Sequence, residues 1–278
     1  VYNSRLKNIA SQYIDKIYEK ANLQFLIWKK ISDKYDLENM NFDCIFDTQK
    51  AVLRTIALRR IQSKIFVSAS ASGFLSTKKI KKNKRRKYYL DSLLDLLDLI
   101  EPGVYENDFK ILLPDKLMNK LKGIFKKNYS YIGYGVGAGE KDRIWHINNF
   151  IEVAKHFEKI NYKNVFFLGP EEDWLKDKIK NIFPDAIYPE ENIRDYSGPE
   201  IVMGATKFLK CALSNDSGIG HMLSTKYCPL IKIFGPKDSS KFTPVSSKII
   251  VISSQSYGSK NIDKVPYKDV IKLIENEI

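Results

Sequence analysis

The sequence predicts an α/β protein in two parts, the second an open, doubly wound parallel sheet. Three observations predict it. Apolar runs of strand length alternate with helical patterns from residue 130 onward, loops rich in glycine or small polar residues follow those runs, and the charge balance changes near residue 128. At 278 residues, two domains are the natural expectation. An apolar content of 44% with 12% aromatic residues excludes a disordered chain. Cys44, Cys211 and Cys228 are too few and too scattered for a disulfide framework or paired zinc ligands, which fits a reducing compartment. No apolar run approaches the roughly 18 residues of a membrane span, and no signal peptide opens the chain. A soluble, cytoplasmic protein is therefore expected. The first residue is Val1, which fits a fragment or a processed product.

In the first part, expected at 1–128, Leu6, Ile9, Ala10, Tyr13, Ile14 and Ile17 recur at helical spacing over residues 4–20. The run Phe42–Asp47 reads as a short buried strand, residues 51–60 as a helix and Lys64–Ser68 as a second strand. A leucine face over residues 88–100 ends at Glu101-Pro102-Gly103, a strong stop signal. An extended piece at 109–113 and a helix from Pro114 and Asp115 to about Lys127 complete the part, with the connection near 126–130. The second part, expected at 129–278, reads as strands at 131–134, 165–168, 186–188, 208–213, 230–234 and 249–252. Helices at 147–160, 171–182, 201–206, 219–226 and 267–278 alternate with them. In such a sheet, ligands bind beyond the carboxyl ends of the strands, where the loops Gly135–Gly139, Leu168–Glu171, Ser214–Gly218 and Phe234–Pro236 would gather.

Residues 1–128 hold 26 Lys and Arg against 14 Asp and Glu, and residues 129–278 hold 20 against 19. The basic part faces something anionic: nucleic acid, a lipid headgroup surface or a phosphorylated substrate. Its densest stretch, Lys78 to Lys87, carries eight cations in ten residues and would equally serve as a solvated loop.

Ser214-Asn215-Asp216-Ser217-Gly218-Ile219-Gly220-His221 follows an apolar strand and runs into a helix. Asp216 and Ser217 suit capping, Gly218 admits close approach of a ligand, and the free N–H groups of the first turn favour an anion such as a diphosphate. His221 faces the same crevice or is a plain surface histidine on a capped helix. The run at 135–139 has Gly-x-Gly-x-Gly spacing, which is not the dinucleotide fingerprint. After it, Arg143 can bind phosphate with two donors. Trp145 reads as a core anchor and His146 as a helix-opening residue. No Walker A sequence, nucleophile elbow, His-Glu-x-x-His or Asp-x-Asp metal pair is present.

Four ordered elements carry a resemblance over about 110 residues: Gly137-Ala138 with Arg143-Ile144-Trp145-His146, Leu168-Gly169-Pro170-Glu171-Glu172, Asn215-Asp216-Ser217-Gly218 with His221, and Ile233-Phe234-Gly235-Pro236. Together they resemble the donor domain of glycosyltransferase family 9, the lipopolysaccharide heptosyltransferases. The resemblance implies two Rossmann-like domains, the GT-B glycosyltransferase fold, with the first domain incomplete. It also implies a nucleotide-diphosphate sugar as donor, ADP-heptose in the family, and a lipopolysaccharide core as an anionic glycolipid acceptor. By position, Gly137, Ala138, Arg143, Asp216, Ser217, Gly218 and His221 would hold the donor, and Glu171 or Glu172 would reach the ribose. Arg143 stands where the family has lysine in a Lys-x-Trp-Pro element, and His146 stands where it has proline.

The mechanism implied is inverting and needs neither metal nor cofactor: a carboxylate deprotonates an acceptor hydroxyl, which attacks the anomeric carbon as the diphosphate departs. The family's base is an aspartate near a Gly-Asp segment after the first strand. No such segment occurs here, and roughly 40 residues, one strand–helix–strand unit, would be missing upstream. Asp47 is the nearest local substitute for the base, and a helix-capping role suffices for it. The basic cluster would then dock the acceptor or the inner membrane peripherally. Two other readings remain: a nucleotide-sugar-binding module without catalysis, and a basic nucleic-acid-binding protein. The latter is the weaker, because the aromatic residues do not interleave with the cations, so no nucleic-acid partner is expected.

Overall fold

The computed structural model describes Ile14, Lys16 and residues 23–49, 51–78, 89–103, 111–169, 172–225, 227–243 and 248–278. The expected helix over 4–20 lies outside the described residues apart from Ile14 and Lys16, and so does the basic stretch apart from Lys78, which is exposed. The chain divides into two compact units, Val1–Lys110 and Ile111–Ile278.

In the first unit, β1 (Asn41–Asp47), α1 (Val52–Arg59) and β2 (Gln62–Ser68) form a strand–helix–strand unit whose strands pair in parallel, Cys44 opposite Ile65 and Phe46 opposite Val67. Asp47 at the end of β1 is 1% exposed and joins all three elements. Its Oδ2 accepts from Thr55 Oγ1 at 2.7 Å and Ser68 Oγ at 2.8 Å, and its Oδ1 from the Gln49 amide at 2.9 Å. Beyond α1, the Arg60 guanidinium donates to the carbonyls of Gln24, Leu26 and Lys29, fixing the loop that precedes the sheet. The helix α2 (Tyr89–Ile100) follows, ending as expected before Pro102 and Gly103.

The second unit opens with α3 (Asp115–Ile124). The sequence assigned this helix to the first part. Leu117 and Leu121 are, however, fully buried in one core with Phe125, Ile201 and Val202, which moves the boundary from 128 back to 110. Then come β3 (Ser130–Gly135), α4 (Ile147–Lys159), β4 (Tyr162–Phe167), α5 (Asp173–Ile182), α6 (Pro189–Asn192) and α7 (Gly198–Ala205). They are followed by β5 (Cys211–Asn215), α8 (Gly218–Leu223), β6 (Leu230–Phe234), α9 (Ser239–Phe242), β7 (Ile249–Ser253) and α10 (Tyr267–Glu275). The expected strand at 186–188 is a single parallel bridge, Ile187 to Val165. The strand expected from Phe208 starts at Cys211, because Phe208 turns aside to stack on Phe125 with ring centroids 5.0 Å apart.

The five strands are all parallel, in the order β4-β3-β5-β6-β7. Helices cover both faces, so the strands read as near-continuous apolar runs. One face packs Ile132, Tyr134, Phe166, Leu213, Ile231 and Ile233 against α4, α5 and α10. The other packs Tyr131, Val165, Phe167, Ala212 and Leu230 against α3, α7 and α8. The chain starts this sheet at β3, adds β4 on one side and then returns to add β5 on the other. This reversal leaves a crevice beyond the carboxyl ends of β3 and β5, the usual ligand position in such sheets.

Candidate functional site

Three side chains brace the crevice. Asn215, fully buried at the end of β5, donates from Nδ2 to the Val136 carbonyl at 2.7 Å and accepts at Oδ1 from the Trp145 amide at 3.1 Å. Trp145 is itself fully buried and donates from Nε1 to the Val265 carbonyl at 3.1 Å, so it anchors the loop as the sequence predicted. His146 opens α4, its Nδ1 accepting from the Asn148 amide at 3.3 Å, also as predicted. The third brace is Glu172, 8% exposed, whose carboxylate accepts from the Gly169 amide at 2.8 Å. A Cβ added at Gly137 would lie 2.2 Å from Glu172 Oε1, and one at Gly169 would lie 2.7 Å from Oε2. The two glycines therefore make room for one carboxylate between the loops after β3 and β4.

Beside these braces lies a chain of alternating charges. Asp216, 4% exposed, has its Oδ1 2.9 Å from the ammonium of Lys232 and its Oδ2 3.7 Å from Arg143 Nη1. Arg143 is held in turn by Glu140, with Nε donating at 3.1 Å, and Glu140 pairs with Lys237 at 3.4 Å. Three cations and two carboxylates leave this chain one positive charge in excess. Lys232 is fully buried in the middle of β6, where α8 comes close enough for a Cβ at Gly220 to lie 3.3 Å from Lys232 Cε. Burial lowers the Lys232 pKa, Asp216 opposes that shift, and Arg143 adds to it. His221 on α8 has its pKa lowered by desolvation first and by the Lys232 ammonium second, against Asp216.

Ser217 caps α8, its hydroxyl accepting from the Gly220 amide at 3.2 Å, and Gly218 faces open space. The structure thus brings Gly137, Ala138, Arg143, Asp216, Ser217, Gly218 and His221 to the carboxyl edge of one sheet, with Glu172 folded beneath Gly137 as a brace. Glu171 lies outside the described residues. Asp47 belongs to the first unit and is enclosed by its three donors. Sequence reasoning missed Lys232; its signal was a lone lysine inside Leu230-Ile231-Lys232-Ile233-Phe234, a run otherwise wholly apolar. Among the described residues, no group of three or more His, Cys, Asp or Glu is placed to hold a metal ion.

A five-stranded parallel sheet covered by helices on both faces, with a crevice of paired charges at its switch point, defines an α/β protein of the doubly wound, Rossmann-like class. The chain belongs to glycosyltransferase family 9 (heptosyltransferase), whose model matches residues 34–270. It is a glycosyltransferase. It is 27% identical over 242 residues to lipooligosaccharide heptosyltransferase 2 of Campylobacter jejuni, covering 81% of this chain and 75% of that protein. Its fold is that of a glycosyl transferase of family 9 from Veillonella parvula (TM-score 0.68, 18% identity, 84% of this chain and 73% of that one). It is likewise that of the Escherichia coli heptosyltransferase WaaC with ADP (TM-score 0.64, 14% identity, 87% and 75%). The two-domain GT-B architecture implied by the sequence motifs agrees with these structures.

Proposed function

We propose that the chain transfers heptose from ADP-heptose to a growing lipopolysaccharide core, by inverting displacement without a metal ion. The observation that carries this reading is Asp216 held between Arg143 and buried Lys232, with His221 beside it, at the switch point of the sheet. A diphosphate needs fixed positive charge as it departs, and this crevice holds its charge on side chains already locked by packing, so little reorganisation accompanies the reaction. The ADP in the WaaC structure supports the same donor nucleotide here. In the reaction, an acceptor oxygen bonds to the anomeric carbon as the bond to the diphosphate breaks, and a carboxylate takes the hydroxyl proton. Asp47 is engaged by three donors, and we assign the base to no residue described above. The acceptor is an anionic glycolipid at the cytoplasmic face of the inner membrane, matched in charge by the basic first 128 residues.

Calorimetric titration with ADP, in EDTA and then in magnesium, tests the reading. Binding of equal strength in both, weakened about tenfold or more in Arg143→Ala and His221→Ala, is the expected result. A folded protein that binds ADP only with magnesium, or whose affinity ignores both substitutions, refutes it.

A further inference from the structure

We infer that Lys232 is a positioning residue for the donor site, acting through Asp216: it keeps an ionised carboxylate tolerable beside a diphosphate. The inference rests on the proposed nucleotide-diphosphate donor, and it answers a difficulty that reading creates. A carboxylate 4% exposed at the mouth of an anion site repels the ligand the site is meant to hold. Asp216 nevertheless stands there, and its Oδ2 is only loosely met by Arg143 at 3.7 Å. The close counter-charge is Lys232, at 2.9 Å from Oδ1 and fully buried.

The surroundings are shaped for that lysine. It interrupts a run of four fully buried apolar residues, and its β-ladder partner is Ser214, on the strand that leads into Asp216. Gly220 supplies the clearance, since a Cβ there would lie 2.7 Å from both the Asn215 carbonyl and Ser214 Oγ as well as 3.3 Å from Lys232 Cε. Phe234 lies below, its ring centroid 5.1 Å from the ammonium. A buried ammonium is costly unless it is paired, and a lysine kept in the interior of a strand where leucine or isoleucine would pack argues for a use of its charge. Lys232 holds Oδ1, which leaves Oδ2 as the acceptor facing Arg143 and the crevice. With Asp216 met by Lys232 on one side and Arg143 on the other, the same place accepts both a sugar hydroxyl and a phosphate oxygen.

A double-mutant cycle tests the coupling, read as ADP affinity by calorimetry, with a thermal melt on every protein. Lys232→Met is expected to weaken ADP about tenfold, because Asp216 then faces the diphosphate without its close counter-charge. Adding Asp216→Asn to Lys232→Met removes the uncompensated charge and is expected to restore part of the lost affinity. Lys232→Arg keeps the charge and is expected to lie closer to the wild type than Lys232→Met does. Failure of Asp216→Asn to rescue overturns the inference, since Lys232 would then touch the ligand itself. A Lys232→Met protein that melts lower but binds ADP as tightly as the wild type also overturns it, because the lysine would be merely structural. If Lys232→Met does not fold, Asp216→Asn with Lys232 intact decides: an unchanged affinity overturns the coupling. A folded wild type that binds no ADP refutes the donor reading itself and the inference with it.

Discussion

At the scale of single residues, the site is built as much from what is missing as from what is present. Gly137 and Gly169 exist so that one carboxylate, Glu172, can lie between two loops, and Gly220 exists so that α8 can descend onto Lys232. Local chemistry made Ser217, Trp145 and His146 legible, because capping and a large apolar ring need no knowledge of the rest of the fold. Lys232 shows in the sequence only as a charge out of place, for the opposite reason. Its meaning lies in Asp216, sixteen positions earlier in the chain, and only the pairing of β5 with β6 brings the two together. Asp47 is the complementary case: a carboxylate at a strand end looks chemical in sequence, and in place it accepts from Gln49, Thr55 and Ser68. Replacing it by asparagine sets an amide against donors that need an acceptor, and each disrupted bond costs about 1–3 kcal/mol. Asp47→Asn should therefore lower the melting temperature by several degrees while ADP affinity of the folded protein stays within twofold, which calorimetry and a melt check together.

At the scale of elements, strands were read more faithfully than helix allegiance. Continuous apolar runs bounded by turn residues declare a doubly covered parallel strand, and Leu230–Phe234 was read to the residue. An amphipathic helix such as α3, by contrast, shows that it has a partner without showing which. The answer lies in Gly204 of α7, where a Cβ would come within 2.6 Å of Leu121. That close approach is invisible until both helices are placed. The short helix α6 offers a separate test. Burial pushes the Glu190 carboxyl from 4.5 up to about 7. Between those values the folded protein holds a proton that the unfolded chain has lost, so this group's contribution falls as pH rises through the window. Glu190→Gln should raise stability by on the order of 1 kcal/mol at pH 8 and leave it unchanged at pH 4, as melts at the two values would show.

At the scale of the whole molecule, the change in charge near residue 128 and the break between compact units at 110 are two different boundaries. Charge follows the partner that a surface meets, whereas compactness follows the core, and α3 carries basic residues outward while its leucines point inward. Residues 111–278 alone should melt as one cooperative unit. Residues 129–278, deprived of Leu117 and Leu121 at about 1.5–3 kcal/mol each, should melt much lower or not fold. Equal melting of the two fragments would remove α3 from the core. Asn215 carries a last consequence. Its amide grips the Val136 carbonyl with one end and the Trp145 amide with the other, so the loop after β3 is tied at two points to the end of β5. The amide proton of Trp145 can reach water only when that grip lets go. In deuterium exchange it should therefore keep time with the strand rather than with the surface, a slow clock set in a fast loop.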